Sequence, residues 1–370
     1  MRILFASAHP YIPQIAGGAQ SSTHELAGEL VARGHEVAVL AGLTKPGAVG
    51  LRARVALKLT GRGYAVDRAL GYPTFRAWHP HEAVARVLAA WRPEVVVTQS
   101  GFPVPIARKS LECGVPAVLY LRNVEFEDLG GDPAGLPGAR FIANSRFTAQ
   151  RYAQAYGLSS RIVHPLFRPE RYRSETTRET VVFVNPHPSK GLDVALALAA
   201  RCPDIPFAFV EAWTLDAQAR RALKARLADL ANVDLLPRSR DMRRIYGIAR
   251  VVLVPSRWDE AFGRVPVEAQ YSGVPALASR RGGLPEAVGD AGLLVDPQAG
   301  IDAWVSALRQ IWDDPEFYER LCVAARAGAS RPELQSERQI ADLLDVLEGA
   351  VTAGAAGRDA GAPPMRAQTA

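Results

Sequence analysis

The 370-residue sequence is poor in cysteine, with three. Cys113, Cys202 and Cys322 are far apart and odd in number and form no Cys-x-x-Cys pair, which excludes a disulfide framework and suits a reducing compartment. No stretch reaches the roughly 18 uninterrupted apolar residues that a membrane span needs. The opening run Met1–Ala8 is too short for a signal-peptide core and reads as a first buried strand. The expectation is a cytoplasmic protein, with the inner face of a membrane left open as a place of work. No Gly-x-Gly-x-x-Gly follows the first strand, which disfavours a dinucleotide oxidoreductase. No Asp-x-Asp occurs anywhere. His79-Pro80-His81-Glu82 has no third partner at metal-site spacing, so no metal is expected. No repeat of fixed period is present.

What is there is globular. Apolar residues make up 48% and charged residues 22%, and the length accommodates two domains with separate cores. The net charge of +6 is uneven: residues 1–175 carry 21 Lys/Arg against 13 Asp/Glu, the remainder 23 against 25. A basic first half favours anionic partners, such as a phosphorylated acceptor or a lipid headgroup; a solvated arginine-rich surface explains it equally. No recognition motif supports nucleic acid.

Short apolar runs alternate with helical patterns, the mark of parallel α/β units. The first half has strands at Arg2–Ala6, Glu36–Leu40, Val95–Thr98, Ala117–Leu121 and Phe141–Ala143, with a helix opened by Gly17-Gly18. Between them, residues 48–77 scatter Arg52, Arg54, Lys58, Arg62, Arg68 and Arg76 among glycine and apolar residues. This is either a mobile basic segment meeting an acceptor or a membrane surface, or an amphipathic helix packed on the domain. The polar stretch 168–180 reads as a linker. A second α/β series follows, then helices near 301–312, 315–328 and 333–348, and an Ala/Gly/Pro-rich tail.

The densest signal is Pro255-Ser256-Arg257-Trp258-Asp259-Glu260-Ala261-Phe262-Gly263-Arg264-Val265-Pro266-Val267-Glu268-Ala269. It leaves a strand and enters a helix near Pro266, so it lies at the carboxyl edge of a parallel sheet, where such sheets bind ligands. Glycine and helix-start amides suit a phosphate. Two carboxylates facing one crevice suit vicinal hydroxyls. Phosphate plus two diols describes a sugar nucleotide.

Glu260 and Glu268 in this setting resemble the E-x7-E motif of glycosyltransferase family 4, retaining enzymes of GT-B architecture. The resemblance implies an α/β fold of two Rossmann-like domains facing across a cleft. It places the transferred sugar at Glu260, the ribose at Glu268, and the diphosphate at the amides of Phe262, Gly263 and Arg264. Lys190-Gly191 is similar to the family's phosphate-binding Lys-Gly, with Lys190 stabilising the leaving diphosphate. Asn185 stands where that loop usually has arginine, and His187, Arg264 or Arg257 are the cations that could compensate. Gly282-Gly283-Leu284-Pro285-Glu286 resembles a glycine-rich donor loop, which adds Gly283 to the donor set. Arg238 either stacks on the nucleobase or is a surface arginine.

In the first half Gly17 and Gly18 match a glycine pair near the reaction centre, and Ala143-Asn144-Ser145-Arg146-Phe147 resembles the S-x-F element that closes this domain. Arg122 and Asn123 occupy the place of a usual histidine. His9 is either an acceptor contact or a loop histidine; the acidic cluster Glu125, Glu127 and Asp128 is either an acid/base pair or a solvated loop. The expected layout is an acceptor-binding domain at 1–172, a nucleotide-sugar domain at 173–332, a helix at 333–350 packing back on the first domain, and a disordered tail at 351–370. The expected function is metal-independent, cofactor-free transfer of a hexosyl unit, with retention, from a nucleotide-diphosphate sugar to a glycan, lipid-linked or small-molecule acceptor. A sugar-nucleotide epimerase and an inactive nucleotide-sugar-binding protein are the alternatives.

Overall fold

A computed structural model describes residues 1–15, 17–213 and 215–361, with side chains to 356. The chain divides into two compact units. The first holds 1–143, 149–163 and the chain from Ile340 on; the second holds 144–148 and 164–339.

The first unit contains β1 (Arg2–Pro10), α1 (Gly18–Ala32), β2 (Glu36–Gly42), α2 (Gly47–Thr60), β3 (Ala65–Asp67), β4 (Thr74–Ala77), α3 (Pro80–Trp91), β5 (Val95–Gln99), α4 (Pro103–Glu112), β6 (Ala117–Leu121), β7 (Arg140–Ala143), most of α5 (Arg146–Tyr156) and β8 (Arg161–Ile162). Its sheet runs β3-β4-β2-β1-β5-β6-β7-β8, parallel except for β3 against β4. Ile3, Leu4, Phe5, Val95, Val96 and Val97 are wholly buried, because helices cover both faces of such a sheet and its central strands become continuous apolar runs. The strand order reverses at β1/β5, which brings His9 and Gly101 to one edge.

The second unit contains β9 (Thr180–Val184), α6 (Leu192–Arg201), β10 (Phe207–Val210), α7 (Ala217–Leu227), β11 (Val233–Leu236), α8 (Arg243–Tyr246), β12 (Ala249–Val254), α9 (Arg264–Gln270), β13 (Ala276–Ser279), α10 (Leu284–Val288), β14 (Gly292–Val295), α11 (Ile301–Asp313) and α12 (Pro315–Ala329). Its all-parallel sheet has the order β11-β10-β9-β12-β13-β14. The order reverses between β9 and β12, the topological switch point at which open α/β sheets bind ligands.

Two features differ from the expected layout. The chain passes into the second unit at His164, not near 172; Phe167 and Tyr172 are buried in that unit's core and hold the polar stretch down. The final helix, α13 (Ser336–Gly361), continues through the first part of the expected tail, and residues 362–370 lie outside the described residues. Within the first unit α13 buries Leu343 and Leu347, and Asp342 pairs with Arg161 at 2.5 Å. The expected S-x-F segment, residues 144–148, groups with the second unit, where Thr148 Oγ1 donates to the Ala261 carbonyl at 3.0 Å and Arg146 N–H to Glu286 at 2.8 Å. No helix among the described residues is long and apolar enough to cross a membrane.

Candidate active site

The loops leaving β9 and β12 meet at the switch point of the second unit. Lys190 follows β9 and Glu260 follows β12. The Lys190 ammonium donates to Glu260 Oε1 at 2.6 Å, and Ser256 Oγ donates to the same oxygen at 2.6 Å. Both side chains of the ion pair are largely buried, at 16% and 15% exposed. The ammonium also lies over the Trp258 ring, 4.1 Å from its centroid, and 5.4 Å from that of Trp213. Two aromatic faces and a carboxylate therefore hold one cation in a poorly hydrated place, where its field is strong.

Gly191 makes this contact possible. Its φ is +82°, and a Cβ there would stand 1.9 Å from the Pro255 carbonyl oxygen, so only glycine lets the lysine loop rest against the end of β12. Gly282-Gly283 does similar work. The Gly283 N–H donates to the Glu260 carbonyl at 2.6 Å, and a Cβ on Gly283 would meet Ala261 O at 2.7 Å. The glycine loop thus braces the backbone that carries Glu260.

Glu268, on α9, is fixed by the interior. Its Oε2 accepts from the Tyr246 hydroxyl at 2.8 Å and its Oε1 from Arg264 Nε at 3.0 Å. Burial, with the carboxylate beside it, holds the Tyr246 phenol protonated far above its usual range. Arg264 reaches Leu166 O at 3.2 Å and the Tyr172 hydroxyl at 2.9 Å and lies over the Phe167 ring. Its guanidinium is thus engaged inward, although it was expected among the donor contacts. Phe262 is a core side chain, 3% exposed. α9 is only two turns long, and the cations at this edge are each paired with a carboxylate, Lys190 with Glu260, Arg257 with Asp193 and Arg281 with Asp259.

Asn185 takes the left-handed conformation, φ +67°, which asparagine tolerates better than most residues. Its Oδ1 accepts the Trp213 N–H at 3.3 Å, so it ties the end of β9 to the loop bearing Trp213. Of the three expected substitutes, Arg257 forms a two-bond pair with Asp193 and Arg264 is engaged as above. His187 Nδ1 bonds Ser189 Oγ at 2.7 Å. Arg238 is exposed on the loop after β11.

In the first unit, His9 Nε2 is 2.9 Å from Asp128 Oδ2, which also accepts the Gly101 N–H at 2.9 Å and Asn123 Nδ2 at 3.5 Å. The hydrogen bond to Asp128 raises the His9 pKa above its usual 6.5, against the opposing effect of burial. Arg122 donates to Ala19 O and Thr23 Oγ1, both at 3.1 Å, and covers the Tyr120 ring at 4.0 Å. It pins the first turns of α1, which starts at Gly18 with Gly17 as its cap. His79, His81 and Glu82, expected to lack a metal-type geometry, bring ligand atoms within 4.8 Å of one another on an exposed helix start.

Sequence reasoning missed Trp213, Trp258 and Tyr246 as partners of the charged residues. Trp258 stands inside the quoted motif and could have been flagged. Trp213 and Tyr246 come from other strands and helices, and no spacing announces them.

Two helix-covered sheets, the first parallel but for β3 and the second wholly parallel with a cation and two carboxylates around its switch point, define the GT-B class of glycosyltransferase folds. Two family models match the chain in succession, Glycosyltransferase Family 4 over residues 16–171 and Glycosyl transferases group 1 over residues 166–327. The chain belongs to glycosyltransferase family 4.

Among curated relatives, the D-inositol 3-phosphate glycosyltransferase of Segniliparus rotundus is 31% identical over 256 residues, 62% of this chain and 55% of that protein. The enzyme of that name from Corynebacterium diphtheriae is 42% identical over 113 residues, 28% of this chain and 26% of that protein. The chain thus spans between about a quarter and about half of these relatives' length. Among solved structures, Anabaena Alr3699/HepE in complex with UDP-glucose matches with TM-score 0.74 at 20% identity, covering 94% of this chain and 100% of that one. Sucrose-phosphate synthase from Thermosynechococcus elongatus matches with TM-score 0.73 at 18% identity, covering 95% and 99%.

Proposed function

We propose that the chain transfers a hexosyl unit from a nucleoside-diphosphate sugar to an acceptor hydroxyl, with retention and without a metal ion. The observation that supports this is the Lys190–Glu260–Ser256 cluster at the β9/β12 edge. As the bond between the anomeric carbon and the diphosphate oxygen breaks, its electron pair leaves with the diphosphate and the Lys190 ammonium meets the growing negative charge, while the acceptor oxygen bonds to the anomeric carbon and its hydroxyl proton passes to the departing diphosphate. Glu260, relieved of its lysine by the incoming phosphate, accepts hydrogen bonds from sugar hydroxyls. Glu268 keeps lone pairs for the ribose beyond those used by Tyr246 and Arg264. The backbone of Phe262, Gly263 and Arg264 holds the diphosphate, braced by Gly283, with Asn185 shaping the same edge and Arg238 available to the base. His9, Gly17, Gly18, Arg122 and Asn123 form the acceptor side.

Retention rests on the family resemblance of the Glu260/Glu268 motif. Metal independence rests on the lysine and on the lack of an Asp-x-Asp sequence. An anionic or lipid-linked acceptor suits the basic first half, and the relatives' name points to an inositol phosphate as one to try. A cytoplasmic location follows from the same reading. The epimerase alternative falls, since both family models and the curated relatives are transferases.

The test is a thermal-shift screen of UDP-, GDP- and dTDP-sugars, UDP-glucose among them, because a ligand that binds the native state raises its melting temperature. Lys190→Ala is expected to slow acceptor-free hydrolysis of the stabilising donor about a hundredfold. Anomeric proton signals of the product read retention, and unchanged rates in chelator read metal independence. Failure of every nucleotide sugar to stabilise the protein refutes the proposal; binding without turnover marks a donor-binding module instead.

A further inference from the structure

α2 presents three large apolar residues, Leu51, Val55 and Leu59, to solvent. Gly50, Ala53 and Leu57 face the body of the first unit, where Ala53 and Leu57 pack in a small cluster with Leu43 and Ala65. At about 100° per residue, Leu51, Val55 and Leu59 form a ridge on the opposite side. They are 56%, 50% and 80% exposed, and the ridge is about 12 Å long. The same arithmetic places Arg54 and Lys58 along one flank and Arg52 along the other, all exposed. Arg62 follows in the next turn. No Asp or Glu occurs between Glu36 and Asp67, whereas five Lys/Arg do.

A monomeric surface rarely exposes three large aliphatic side chains in line. A helix that keeps a short apolar line outward between cations matches an anionic lipid surface, which takes the alkyl groups between its headgroups while the guanidinium and ammonium groups meet phosphate. Nucleic acid fits less well, because the centre of the face is aliphatic and would lie against phosphate.

We propose that α2 is a membrane-surface anchor, with Leu51, Val55 and Leu59 dipping into the headgroup layer of an anionic bilayer and Arg52, Arg54, Lys58 and Arg62 holding the phosphates. It gives the proposed transferase a reason to work on lipid-linked acceptors, but its test reads no turnover and stands or falls separately.

The test is sedimentation of the full chain with phosphatidylglycerol-containing vesicles and with pure phosphatidylcholine vesicles. The expected result is binding to the former alone, lost in high salt. Each cation removed should weaken binding roughly fivefold, so Arg52→Glu with Lys58→Glu should abolish it. Leu59→Ser should weaken it about tenfold with the charge unchanged. All three positions are solvent-exposed, so the variants are expected to keep the wild-type melting temperature, which checks their folding. Equal binding to both vesicle types, no binding, or binding untouched by Leu59→Ser overturns the proposal. So does a dimer that Leu59→Ser converts to monomer, or a preference for RNA over vesicles.

Discussion

Replacing Glu268 by alanine removes a carboxylate that two buried groups depend on. Its side chain is 11% exposed and that of Arg264 is 14% exposed, and Tyr246 is wholly buried. After the substitution Arg264 loses its ion pair with the Glu268 carboxylate, and the Tyr246 hydroxyl loses the Glu268 oxygen that accepts its proton. Breaking a buried ion pair from one side costs about 3–5 kcal/mol, and an orphaned hydroxyl belongs to the same penalty. For a unit the size of 164–339, each kcal/mol lowers the melting temperature by about 2–4 °C. The second unit's transition should therefore fall by roughly 10–15 °C in calorimetry. Glu268→Gln removes the charge but keeps polar atoms for both neighbours, so it should lose less than alanine does, about 2 kcal/mol, and is the better variant for measuring donor affinity. Glu268→Ala combined with Tyr246→Phe should be less destabilised than the sum of the single changes by about 1–2 kcal/mol, because no hydroxyl is then orphaned. A Glu268→Ala protein melting within about 2 °C of wild type would refute the claim that this carboxylate is held by the interior.

Gly191→Ala places a Cβ 1.9 Å from the Pro255 carbonyl in a left-handed conformation. It should cost about 3 kcal/mol or more in urea unfolding and weaken donor binding, because the lysine loop must lift from β12. In NMR titration His9 should hold its proton above its usual 6.5, and Asp128→Asn should bring it back. Since the folded pKa is the raised one, the His9–Asp128 ion pair is complete below the ordinary histidine value and is lost as pH rises through the folded value. Asp128 is depressed, with burial outweighed by its bonds to His9, Gly101 and Asn123, so its part of the pair is lost in acid as pH falls through its own folded value. A His9 that titrates at its ordinary value would remove the pair from the acceptor side of the proposal.

Much of the molecule was legible in the residue order. Buried parallel strands read as unbroken apolar runs, so Ala117–Leu121 is predicted to the residue, and most other central strands to within two. The carboxylate motif and the lysine loop are placed at sheet edges because strand, loop and helix follow one another within a few positions, whereas the two glycine loops rest on the family resemblance. The exposed ridge on α2 was half visible. Its cations and helical spacing are local, but which face turns inward depends on Leu43 and Ala65, which lie outside the helix. The partners of the charged residues were not legible. Tyr246 comes to Glu268 from α8, Leu166 and Tyr172 come to Arg264 from the segment before β9, and Trp213 comes to Lys190 from beyond β10. Local sequence sets which backbone a residue adopts, because that is decided by neighbours within a turn or a strand. What a buried charge bonds to is decided by strand order, and only the folded sheet, by putting β12 beside β9, brings Lys190 and Glu260 into contact.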